Sequence, residues 1–87
     1  MYKVTLYRFD DRDCLIEYKR YDFEHFVSAL MFFDQTETRM RMVNSVTTEF
    51  KYVLKERTDK DIVFDFVDKA GHLIGSVRYS ISVDKSN

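Results

Sequence analysis

Two histidines and one cysteine are the natural candidates for nucleophilic, acid-base or metal chemistry in this chain, with fifteen Asp and Glu side chains beside them. His25 and Ser28 stand three apart, a spacing that brings side chains together on a helix. No third group orients the pair, and a serine within a helix has no oxyanion hole. Cys14 falls at the start of an alternating segment, in phase with Ile16, and reads as a small core residue rather than a nucleophile. His72 follows Gly71 and reads as a solvated turn residue. One cysteine and two distant histidines cannot furnish a closely spaced zinc set. Asp10, Asp11 and Asp13, or Asp59 and Asp61, gather hard oxygen ligands in short spans. Both turns lack the glycine at the bend and the bidentate Glu of a calcium loop, so they read as solvated turns. No glycine-rich loop precedes a helix, and Asp22 with Glu24 would repel an anion from the expected helix start. The expectation is a protein without catalytic residues, cofactor or metal.

The elements available to position a site are few. Eighty-seven residues allow one domain, expected over 1–83 with a frayed tail at 84–87. Eight Phe and six Tyr supply large apolar side chains for a small core, and a single cysteine leaves no internal disulfide. The net charge of −1 gives no global field for nucleic acid or anionic lipid. No apolar run reaches the ~18 residues of a membrane span, and the first residues lack a secretory signal's apolar stretch. A reducing compartment and a cytoplasmic location are expected.

Strand-like alternation runs from Tyr2 to Phe9 and resumes through Cys14, Ile16 and Tyr18, with the Asp10 to Asp13 turn between them. Asp22 is expected as an N-cap, with a helix from Phe23 and Tyr21 stapled on Phe26. Phe23, Phe26, Val27, Leu30 and Phe33 form its apolar stripe, and it is expected to end near Asp34 to Thr36. Arg39 to Val43 alternates as a strand, with extension of the helix through Arg41 as the alternative. Longer alternation follows from Val46 to Leu54, then Ile62 to Val67, then Leu73 to Val83, with Gly71 closing a turn in the left-handed region. The pattern β-β-α-β-β-β-β predicts an α+β fold: a small antiparallel sheet of about five to six strands with one amphipathic helix on one face.

Two surfaces stand out against that architecture. At 100° per residue, Phe32 falls about 180° from Phe23, on the outer side of the helix beside His25, Ser28 and Ala29. Met31 flanks the same ridge. Such a face is covered by the following segment, self-associates into a homodimer, or binds another protein. The second surface is the segment 36–57, which carries a charge of +2 against −2 before it and −1 after it. There, Arg39, Arg41, Lys51 and Lys55 would line a basic hairpin suited to a phosphate backbone. The leading expectation is a non-enzymatic inhibitor or adaptor that binds another protein through His25, Ala29, Met31 and Phe32. The alternatives are a small nucleic-acid-binding module on the basic hairpin, and a structural subunit of a homo-oligomer. A membrane partner is not expected.

Overall fold

The computed structural model describes residues 1–83; the expected frayed tail, 84–87, lies outside the described residues. The fold is α+β. Five strands, β1 (Tyr2–Asp10), β2 (Leu15–Phe23), β3 (Phe50–Arg57), β4 (Asp61–Asp68) and β5 (Leu73–Val83), form one antiparallel sheet in the order β2-β1-β5-β4-β3. Between β2 and β3 the chain forms α1 (Phe26–Asp34) and α2 (Thr36–Val46), one helix bent at Gln35, which lies on one face of the sheet. No helix among the described residues is long and apolar enough to cross a membrane.

Alternation determines which side chains meet the helix. Val4, Leu6, Ile62, Phe64, Val77 and Tyr79 are buried beneath Ala29, Phe33 and Met40. Their strand neighbours of opposite phase form a second face with no layer over it. The turns are built from side-chain oxygens. Asp10 Oδ1 accepts from the N–H groups of Arg12 and Cys14 at 2.8 and 2.9 Å, and Asp68 Oδ1 accepts from Ala70 and His72, both at 2.9 Å. These acidic side chains thus replace turn hydrogen bonds that the backbone leaves unmade. Gly71 takes φ +88°, the left-handed position its turn was expected to need. Gly75 answers a different demand: a Cβ there would stand 2.5 Å from the carbonyl oxygen of Phe9 on β1.

Three local expectations are corrected. Asp22 is not an N-cap and Phe23 does not open a helix, because β2 continues through both, with Phe23 opposite Tyr2 and Asp22 opposite Lys3. Continued pairing gives these residues ladder hydrogen bonds and a packed place for the Phe23 ring, which a cap could not offer. The helix begins at Phe26, after His25, whose backbone is extended at φ −118° and ψ 137° and whose side chain makes no capping bond. Tyr21 accordingly packs on Phe32 rather than Phe26, and Phe26 meets Tyr2 with ring centroids 5.4 Å apart. The Arg39 to Val43 segment is helical, as the alternative had it, and the helix runs on to Val46. Burial there recurs every four residues, at Thr36 and Met40, so the alternation of Arg and Met did not report a strand. Finally, Cys14 is an exposed free thiol in the β1–β2 turn, not a core residue. The bulge next to it, where Arg8 pairs with Glu17 but Phe9 with Leu15, breaks the phase that tied Cys14 to the strand beyond.

Candidate functional site

The helix face expected to bind a partner is divided by the structure. Met31 is 55% exposed, and His25 is exposed at the start of α1. Ala29 is fully buried, and Phe32 is half-buried, so neither belongs to an open outer face. The ring of Phe32 is covered from two sides. Tyr21 and Phe23 of β2 approach it with centroid distances of 4.8 and 5.5 Å, and the Arg39 guanidinium lies 4.2 Å above its centre. Arg39 also donates from Nη2 to the Phe32 carbonyl and to Thr36 Oγ1, both at 2.9 Å. The expected cover by the following segment therefore exists, with β2 supplying the other half. Of the expected stripe only Phe33 is fully buried; the buried line runs through Ala29 and Phe33, so the stripe lies turned toward Ala29, a small residue whose bulk did not mark it as core. Val27, counted in that stripe, is 64% exposed.

What α1 does present is an apolar ridge of Val27 and Met31, four residues apart, with Phe26 beside it at 47% exposure. Phe26 and Leu30 of the same helix line a cleft of about 420 Å³ together with Tyr2, Ile81 and Val83 and the polar Asp59, Lys60 and Ser82. Most of that lining is apolar carbon, so the cleft suits an inserted hydrophobic side chain better than a charged ligand.

The basic surface does not form a ribbon. Arg39 is folded onto Phe32, and Arg41 is exposed on α2. Lys51 lies in the opposite phase to Tyr52, on the uncovered face of the sheet. Lys55 occupies the bulge between Leu54 and Glu56, beside a depression lined by Phe9, Val63, Ser76 and Arg78. The hairpin that would have aligned the four is absent because its first strand is a helix.

A sheet edge was expected from the sequence as a further contact surface without a strand assigned to it, and the uncovered face around Tyr7 was not read as a site. On that face Tyr7 meets Tyr18 edge-on at 5.5 Å and Phe9 at 6.4 Å. The signal was available: one helix can cover only one face of a sheet, and Tyr7 alternates against the core residues Val4 and Leu6. The edges differ from each other. Asn44 of α2 reaches the outer edge of β3, where its Nδ2 donates to the Tyr52 carbonyl at 2.7 Å and its Oδ1 accepts from the Tyr52 N–H at 2.8 Å. No side chain or backbone group bonds the backbone of Glu17 to Phe23 from outside the sheet among the described residues.

The groups with displaced pKa values have structural partners. Burial pushes the Tyr79 hydroxyl up within the core. For Arg8, burial pulls the value down, but the guanidinium's hydrogen bonds to Tyr52 and Glu17, each 3.2 Å, outweigh it and leave it raised. Arg57 is raised by its hydrogen bond to Glu37, with Asp34 adding a second ion pair at 3.1 Å. That clamp ties β3 to both halves of the bent helix. No three His, Cys, Asp or Glu side chains among the described residues are grouped to hold a metal ion. Comparison with family models, with curated proteins and with solved structures returns no match to this chain.

Proposed function

We propose that this chain is a small non-enzymatic protein-binding module, an inhibitor or adaptor, whose contact surface is the α1 ridge and the cleft beside it. The observation that carries the reading is the exposure of Val27 and Met31, at 64% and 55%, on the same helix whose Phe26 and Leu30 line a mostly apolar cleft. Apolar side chains grouped around a concavity are what a partner's anchoring residue fills, and Met adapts its shape to such contacts. His25 borders the ridge as a polar neighbour. The partner is therefore a protein that inserts an apolar side chain between α1 and the end of the sheet. The exposed thiol of Cys14 fits a reducing compartment such as the cytoplasm.

The test is site-specific photo-crosslinking in a cell extract, using the full chain with a benzoylphenylalanine at Val27 and, as a control, at Glu49. The expected result is an adduct at Val27 that excess wild-type chain competes away and that a Val27→Asp, Met31→Asp chain does not. An adduct competed equally by both chains would place the contact elsewhere, and the absence of any competed adduct would remove the reading.

A further inference from the structure

The two sheet edges are treated differently by the rest of the chain, and the difference identifies a second interaction surface. An edge strand presents unpaired N–H and C=O groups to any other strand of suitable shape. On β3 that template is spoiled twice, by the bulge at Lys55 and by the Asn44 amide, which already holds both backbone groups of Tyr52. On β2 the bulge at Ile16 spoils one end only, and Glu17 to Phe23 forms a regular, unblocked run of seven residues against β1.

We propose that β2 pairs antiparallel with β2 of a second copy of this chain, joining two five-stranded sheets, with Tyr21 on the two-fold axis. The charges along the strand select both the occupant and the register. Directly opposite residues of an antiparallel pair share a face, so a symmetric pairing places one residue opposite itself on the axis. Glu17, Lys19, Arg20 or Asp22 on the axis sets two like charges face to face, and Phe23 on the axis sets Asp22 opposite Glu24, each of which is destabilising. Tyr18 on the axis carries the pairing into the bulge at Ile16. Tyr21 on the axis keeps Lys19 to Phe23 paired within the regular run and puts Arg20 opposite Asp22 of the other copy.

Arg20 and Asp22 already form an ion pair within one strand, Nε to Oδ1 at 3.2 Å, on the uncovered face. The two-fold therefore assembles four charges in a square, in which each has opposite charges as its two nearest neighbours and like charges lie on the diagonals. On the other face Lys19 stands opposite Phe23 of the second copy, its aliphatic stem over the ring. Because the axis of an antiparallel pair is perpendicular to the sheet, both bent helices remain on one side. The charges that deter indiscriminate edge pairing thus leave one register open. This surface is separate from the α1 ridge, and the pairing stands or falls independently of the reading above.

The experiment is light scattering on the full chain over a concentration range, followed by charge reversal and disulfide mapping. The mass is expected to approach twice the 10.5 kDa of the chain. Asp22→Arg should weaken association about tenfold or more by setting like charges opposite, and the swapped Arg20→Asp, Asp22→Arg chain should recover it. In a Cys14→Ser background, an oxidised mixture of Arg20→Cys and Asp22→Cys chains should yield a covalent dimer, because directly opposite residues lie within disulfide range. Each variant alone should yield little, because its own copy lies on the longer diagonal. Circular dichroism on each variant confirms that the sheet is retained. A monomer at every concentration overturns the proposal, as does a dimer indifferent to Asp22→Arg or one in which the single-cysteine chains crosslink as well as the mixture.

Discussion

Asn44 stands in for a missing strand beside Tyr52, since a single side-chain amide both donates to the Tyr52 carbonyl and accepts from its N–H. The contact fastens the last turns of α2 to the sheet edge and closes that edge to other chains. It also explains why a helix of eleven residues, Thr36 to Val46, with few buried side chains is held in place, together with the Arg57 bonds to Asp34 and Glu37.

Asn44→Ala removes both bonds at once. Two hydrogen bonds at a half-exposed edge contribute about 1–2 kcal/mol together, since water replaces part of what is lost. For a domain of this size that corresponds to a Tm lower by about 5–15 °C. The variant should also show concentration-dependent association on a sizing column through the newly opened β3 edge. An unchanged Tm together with an unchanged elution profile would mean that α2 does not seal this edge in solution.

Phe32 should behave as part of the packing, not as a free contact. Phe32→Ala removes the ring that Tyr21, Phe23 and Arg39 enclose, and a cost of about 2–4 kcal/mol is expected, near the lower end of core Phe truncations because the ring is half-buried. Arg39→Ala should cost less, and a double-mutant cycle between the two should give a coupling of about 0.5–1 kcal/mol for the cation over the ring. Chemical denaturation of the four proteins measures it. A Phe32→Ala chain as stable as the wild type would return Phe32 to the surface.

Much of the sheet was legible because period-two alternation survives wherever one face is buried: Tyr2, Val4 and Leu6, or Ile62, Phe64 and Phe66, lie on the helix side as their spacing requires. The errors share one physical origin. Local signals at Asp22 and at Arg39 to Val43 were equally compatible with helix and strand, and the choice was made by partners distant in sequence. Tyr2 and Lys3 hold Asp22 and Phe23 in β2, while Thr36, Met40 and Asn44 meet the sheet at helical spacing. Weighting the stripe by apolar bulk turned it toward Phe26, Val27 and Leu30 and away from the small, fully buried Ala29, and with that rotation went the assignment of Phe32. The ridge at Met31 survived that rotation. The β2 edge was invisible from the sequence, because strand order depends on β5 entering between β1 and β4.

Gly75 tests how closely β1 and β5 are locked. With a Cβ directed at the Phe9 carbonyl oxygen at 2.5 Å, Gly75→Ala must displace backbone, not a flexible side chain. The expected destabilisation is about 2–3 kcal/mol, the upper part of the range for overpacking, because backbone has to move. Gly71→Ala, whose φ of +88° carries strain but whose surroundings are open, should cost only about 1–2 kcal/mol. Equilibrium unfolding of both variants should give that order, and the reverse order would show that the β1–β5 spacing relaxes.

Asp68 gives the turn between β4 and β5 a pH dependence of known sign. The backbone N–H of His72 is the main cause holding its carboxyl below the ordinary carboxylate range, with the Ala70 N–H adding to it and the His72 ring 3.4 Å from Oδ2. A carboxyl whose value is lower in the folded than in the unfolded chain stabilises the fold fully above its unfolded value of about 3.9. That contribution is lost as pH falls through the lower, folded value, when the proton blocks the acceptor. Asp68→Asn keeps an Oδ1 acceptor for the two N–H groups and cannot titrate. Between pH about 5 and 2 the wild type should therefore lose more Tm than the Asn variant. Thermal melts of both chains at half-unit pH steps measure this. Parallel curves down to the lowest pH would mean that the charge on Asp68 contributes nothing to the turn beyond its geometry.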